Sequence, residues 1–200
     1  MDLALFDFDG TLTTREMMPA FMEFAVRPRR LAWGKLLLAP MVTGYRLGLV
    51  SGTRVRAAIV RYGFRGVPLE ELQRAGERFA RDALPQALRD DAMQRIAWHR
   101  GRGDTVAVVS GALDVYLAPW CREQGLALLC SSLAHVDGVL TGEYRGRQCV
   151  LEEKAQRVRE AYDLAGFGAV YAYGDTPEDR DLLALARHRF YRGRETDELP

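Results

Sequence analysis

Short apolar runs rich in β-branched residues recur along the chain: DLALF (2–6), TVAVVS (105–110), LALLCSS (126–132) and AVYAYG (169–174), with HRFYR (188–192) a weaker fifth. Such runs, apolar without alternation and too short for helices, match strands covered on both faces of a parallel sheet. Helical stretches lie between them at 112–124, 152–165 and 177–187. The alternation predicts an α/β fold: a doubly wound, mainly parallel, Rossmann-like sheet. HVDGVLTGEY (135–144) places Asp137-Gly138 between two short runs, which predicts a β-hairpin.

About ninety residues separate the first two strands, far more than one crossover helix needs. The intervening pattern is helical, with candidates at 16–27, 31–49, 53–62, 69–83 and 86–100, punctuated by Pro28, Gly52, Gly63, Gly66 and Pro85. The last of these helices is expected to return to the core. The others form a helical cap, residues 14–83, inserted into an α/β core of residues 1–13 and 84–200.

One part of that insert has a second reading. RPRRLAWGKLLLAPMVTGYRLGLV (27–50) places three arginines ahead of an apolar segment of about the length a membrane span needs. Lys35 and Arg46 are costly at mid-bilayer, and Pro40 and several glycines interrupt the segment. The expectation is a buried cap helix, bent at Pro40, whose leucines pack into the core. The alternative is a helix lying on a membrane surface, with Trp33 at the interface and arginines on anionic headgroups.

Composition narrows the class. Lys and Arg total 28 against 27 Asp and Glu, so the chain lacks the basic excess of a nucleic-acid binder. Cys121, Cys130 and Cys149 are odd in number and contain no CxxC pair, which argues against a disulfide framework or zinc site and for a reducing cytoplasm. Strand-like sequence begins by Leu3, so no signal peptide is expected. Lys35 and Lys154 are the only lysines among many arginines.

The chemistry collects at predicted strand ends. In FDFDGT, residues two apart on an extended chain share a side, so Asp7 and Asp9 point together and Phe8 points away. They stand at the carboxyl end of the first strand, where open α/β sheets place ligands, and two converging carboxylates there suit a hard cation such as Mg²⁺. Ser110 and Gly111 follow the second strand, either as a helix N-cap or as a phosphate-holding hydroxyl and backbone. Asp175 directly follows an apolar strand in YAYGDTPED. Thr176, Pro177 and Asp179 explain themselves as a capped helix start, but Asp175 does not. Lys154 reads either as a solvated helix residue or as a compact ammonium directed at the carboxylates.

The order of these features closely resembles the haloacid dehalogenase superfamily. DFDGTLT resembles its first motif, VVSG its second, Lys154 its third and GDTPED its fourth. The long insert after the first motif, and GRQCVLEEK before the lysine helix, are similar to the phosphoserine-phosphatase-like branch. The resemblance implies a Mg²⁺-dependent phosphomonoesterase acting on a small phosphorylated substrate. Asp7 would be the nucleophile, Asp9 the acid/base and, through its carbonyl, a metal ligand. Ser110 would hold a phosphate oxygen, Lys154 would stabilise charge, Asp175 would bind Mg²⁺, and Asp179 would orient Lys154 or a metal-bound water. Metal binding thus falls to Asp7, Asp9, Asp175 and Asp179. Glu16 stands at the offset where phosphoserine phosphatases carry a glutamate. Arg56, with Arg54, Arg61 and Arg65 nearby, could take a second anionic group. An acid two residues after the nucleophile sets the chain apart from the ion pumps and dehalogenases of the superfamily.

Two other readings stand beside this one. The apolar 31–50 segment is similar to relatives of the same branch that dephosphorylate phosphatidylglycerol phosphate at the membrane. A non-catalytic phospho-acceptor or binding module would also carry strand-end aspartates, a Ser and a Lys, although receiver domains leave no room for a long insert after the first strand.

Overall fold

The computed structural model describes residues 1–200. Strand β1 (Leu3–Phe6) is central and fully buried. Its neighbours are β2 (Thr105–Leu113) on one side and β6 (Val170–Gly174) on the other, both parallel to it. The sheet runs β3-β2-β1-β6-β7-β8, with β3 at Ala127–Ser131, β7 at His188–Tyr191 and β8 at Arg194–Glu195. Only β8 is antiparallel to its neighbour. HRFYR therefore forms a full parallel strand, and a two-residue edge strand follows it that has no apolar run to announce it. The expected hairpin is present as β4 (Leu133–Val136) and β5 (Val139–Tyr144) in a separate antiparallel sheet.

Several helices depart from their expected bounds. The stretch from 177 is a single 3₁₀ turn, Pro177–Asp179, followed by a short α8 (Arg180–Leu183). Helix α7 (Glu152–Ala161) ends before 165. The helix after β2 starts later than expected. Strand β2 runs on to Leu113, and α6 occupies Asp114–Gln124. A register shift between Ser110 and Leu113 lets Leu113 pair with Ser131, so an irregularity extends the strand by several residues.

Between β1 and β2 lie α1 (Met17–Ala25), α2 (Pro28–Arg46), α3 (Gly52–Phe64) and α4 (Leu69–Asp82), then α5 (Asp90–Gly101) beside the sheet. The chain enters and leaves this insert side by side. The Thr14 N–H donates to the Ala87 carbonyl and the Arg89 N–H to the Leu12 carbonyl. The insert is also tied to the hairpin by backbone bonds from Gly66 N–H to Leu140, Leu140 N–H to Val67 and Leu69 N–H to Gly138. One continuous core joins sheet and insert: Phe8 packs on Trp120 at 5.6 Å, and Phe21, Phe64 and Phe79 cluster beneath the insert.

Helix α2 overturns the expectation of a buried cap helix. It runs unbroken through Pro40, and Gly34 is its only buried residue. Trp33, Leu36 and Leu37 are 62%, 65% and 62% exposed, so packing into the core does not account for them. The helix has no marked division into apolar and polar faces, and it packs mainly on α3 and to a lesser degree on α1.

Candidate active site

Asp7 is positioned by β1 itself: its N–H donates to the Tyr173 carbonyl of β6 as the strand ends. Asp7 and Asp9 border the same cavity, and the fully buried Phe8 does not. Lys154, in the first turn of α7, is buried, which excludes the solvated reading. Its ammonium donates to Asp7 Oδ1 at 2.5 Å and to Asp179 Oδ1 at 2.6 Å. Residues 7, 154 and 179 thus meet in one buried bridge.

Asp179 has little spare capacity. Besides Lys154 on Oδ1, its Oδ2 accepts from the backbone N–H groups of Asp175 and Thr176 and from the Thr176 hydroxyl. The local sequence makes this turn: Thr-Pro-Glu-Asp folds back so that the fourth residue caps the first, and Gly174 leaves room for the Asp179 side chain. Asp175 is half-buried, and its only side-chain bond comes from the Thr11 hydroxyl at 3.3 Å. Carboxylate oxygens of Asp7, Asp175 and Asp179 all lie within 4.8 Å of one another. Asp9 stands outside that cluster, where its Oδ1 accepts from the Met17 N–H at the start of α1.

The charges are poised. Burial pushes the Asp7 carboxyl well above the usual range, helped by Asp179 and Asp9 and opposed by Lys154. Burial, with the charges of Glu16 and Asp175, pushes Asp9 up to about 7 against the Met17 N–H. Burial and Asp179 raise Asp175. Burial alone would discharge Lys154, but the two carboxylates outweigh it and hold the ammonium protonated. Negative charge is in surplus here. All-oxygen donors, an uncommitted Asp175 oxygen and that surplus fit a hard divalent cation. Gly10, at φ +81°, lies so close to the Asp175 carboxylate that a Cβ would collide with it.

A cavity of about 670 Å³ under the insert is lined by Asp7, Asp9, Ser110, Lys154 and Asp175, and also by Glu16, Gly111 and Arg56. Of the residues expected to carry the chemistry, only Asp179, bonded to Lys154, does not border it. Ser110 is not a helix cap, because β2 continues past it; its hydroxyl accepts from the Ala112 N–H at 3.1 Å and is buried. Glu16 is exposed at the start of α1 and has no side-chain capping bond. Arg56 is engaged, reaching Glu178 and the Gln148 side chain, each at 3.2 Å. Arg54, Arg61 and Arg65 are exposed and do not border the cavity. Thr11, Tyr45, Gln148 and Glu178 were not expected at the site. Thr11 stands in the same loop as Asp7 and could have been found by proximity. Tyr45 arrives from a remote element without any local signal, and Gln148 lies within the GRQCVLEEK stretch, which assigns it no role.

A parallel α/β sheet with an aspartate pair at the end of its central strand, a buried lysine and a second aspartate turn defines a hydrolase fold of one class. A family model for haloacid dehalogenase-like hydrolases matches residues 4–184, and the chain belongs to that family. It is 32% identical over 192 residues to Protein CicA of Caulobacter vibrioides, covering 95% of this chain and 85% of the relative. A solved protein of unknown function from Bordetella pertussis Tohama I superposes with a TM-score of 0.82 at 25% identity, covering 94% of this chain and 88% of that one. A phosphoserine phosphatase solved as a phospho-aspartyl intermediate analogue shares the fold, with a TM-score of 0.66, 24% identity and coverage of 94% and 84%.

Proposed function

We propose that this protein is a Mg²⁺-dependent phosphomonoesterase that acts through an aspartyl-phosphate on a small phosphorylated substrate. The observation that carries the reading is the buried Lys154 bridge between Asp7 and Asp179, beside a second, differently placed aspartate. Lys154 holds Asp7 at the cavity floor, where its free oxygen attacks phosphorus and the bond from phosphorus to the leaving oxygen breaks. Asp9, tethered by the Met17 N–H and raised to about 7, gives its proton to the leaving oxygen. It then accepts a proton from the water that attacks the aspartyl-phosphate, which restores Asp7 and releases phosphate. Ser110 and the Gly111 backbone hold phosphoryl oxygens. Mg²⁺, when bound by Asp7, the Asp9 carbonyl and Asp175, supplies charge neutralisation for the phosphoryl group. Asp179, its oxygens already committed, positions Lys154.

Glu16 and Arg56 would meet the part of the substrate beyond the phosphate. Arg56 is already held by Glu178, so the carboxylate of phosphoserine would have to displace it. Esters whose leaving group is uncharged near the phosphate face no such competition. The test is release of phosphate from a generic phosphate ester, with and without Mg²⁺. Asp7→Asn should abolish the reaction, and EDTA should stop it until Mg²⁺ is restored. Wild-type rates in Asp7→Asn, or chelator-resistant turnover, would overturn the proposal. A ranking of KM values for phosphoserine and neutral esters then tests the substrate class.

A further inference from the structure

Helix α2 is covered along positions 31, 34, 38, 41 and 42, a helical repeat that faces α3, where Gly34 lies against the Tyr62 ring. The opposite stripe, Trp33, Leu36, Leu37 and Pro40, is uncovered. The turn after the helix continues it, with Leu47 and Leu49 69% and 78% exposed. A contiguous apolar strip of this kind on one element marks an interaction site. No helix of the protein is long and apolar enough to cross a membrane, so the strip is not a span.

The charges around it select the partner. Arg27 and Arg29 at one end of the strip, and Arg46 near the other, are exposed and pair with no carboxylate. The nearby Glu23 is matched by Lys35 at 2.8 Å, so no net negative charge opposes the strip. Arginines flanking a tryptophan and leucines are complementary to a surface that is anionic outside and apolar a few ångströms in. The same helix reaches the catalytic cavity. Tyr45, itself partly exposed near the end of the helix, lines that cavity beside Gly52 and Arg56. We infer that α2 and the turn after it dock the protein onto an anionic lipid bilayer, with Trp33, Leu36, Leu37, Leu47 and Leu49 entering the headgroup region. The surface stands on exposure and charge alone and does not depend on the phosphatase reading.

The experiment is co-sedimentation of the full chain with phosphatidylcholine vesicles, with and without phosphatidylglycerol, at low and high salt. Phosphate release from a soluble ester is followed in parallel, so loss of docking and loss of catalysis are read separately. Wild type should bind the anionic vesicles and be released as salt screens the arginines. A blue shift of tryptophan emission on binding should be missing in Trp33→Phe. Leu36→Asp with Leu37→Asp should abolish binding while the soluble ester is hydrolysed at the wild-type rate. Replacing Arg27, Arg29 and Arg46 by alanine should weaken binding by about fivefold per arginine. Wild type left in the supernatant with anionic vesicles at low salt would overturn the inference. So would undiminished binding by the Leu36/Leu37 variant. A concentration-dependent dimer that this variant dissociates would assign the strip to a second copy of the chain and would equally overturn it.

Discussion

At Lys154 one buried ammonium serves two buried carboxylates, those of Asp7 and Asp179. Arginine is the prevailing cation of this protein, yet its planar fork is wider than a lysine ammonium and cannot sit between Asp7 and Asp179 with the same bonds. Lys154→Arg should therefore lower turnover of a phosphate ester on the order of 100-fold, the scale of losing one charge-stabilising group in a closed site. Activity within a factor of two of wild type would return Lys154 to a merely structural role. A second residue-scale test lies behind the sheet. His99 is fully buried, with Nδ1 on Asp104 at 2.9 Å and Nε2 on the Tyr173 hydroxyl at 2.8 Å. Burial lowers its proton affinity despite Asp104. Folding thus favours the neutral ring, and the stability that depends on it is complete above the ordinary value of about 6.5 and is lost as pH falls below it. The advantage in melting temperature of wild type over His99→Leu should shrink between about pH 7 and about pH 5. The raised carboxyls of Asp7, Asp9 and Asp175 titrate in the opposite sense, but they do so in both proteins and cancel in the difference.

Elements in this protein meet through glycine at particular points. Gly76 of α4 faces the Val115 carbonyl in the first turn of α6 so closely that a Cβ would overlap it. Because the obstacle is backbone, it cannot rotate away, and the two helices would have to part. Gly76→Ala should destabilise the fold by about 3 kcal/mol, the upper part of the usual overpacking cost. Gly101, at the end of α5, has no atom near its missing Cβ and no positive φ. Gly101→Ala should therefore stabilise by about 0.4–1 kcal/mol. Urea unfolding of the two variants checks both signs, and a stabilised Gly76→Ala would refute the close helix contact.

For the molecule as a whole, the surplus of negative charge at the strand ends links metal binding to stability. A ligand present at about 100 times its dissociation constant stabilises the native state by about 2.7 kcal/mol. In a chain of this size that is a rise in melting temperature of roughly 5–10 °C. Mg²⁺ should raise the melting temperature of wild type by that order and leave Asp175→Asn nearly unmoved. An equal shift in both would remove Asp175 from the metal site. The insert moves with the rest of the molecule in such a measurement, since the 66–69 segment is bonded to the hairpin and the chain enters and leaves the insert through paired backbone.

The order of strands and helices, the hairpin at Asp137-Gly138 and the placement of Asp7 and Asp9 at one cavity were all legible in the sequence, because each depends on local periodicity and turn chemistry. The motif order also picked out the residues that meet at the strand ends, although they lie up to 172 residues apart (Asp179 − Asp7). Three decisions belonged to the tertiary structure alone. Lys154 could be read as solvated or buried until two carboxylates from distant turns were seen to close on it. Ser110 could be read as a helix cap until β3, pairing as far as Leu113, carried the strand past it. Helix α2 could be read as core until its outer stripe was found bare. An apolar pattern states which positions can be buried, but whether they are depends on a neighbouring element arriving to cover them. A helix whose apolar and polar residues are not segregated has no polar face to show which side faces the protein.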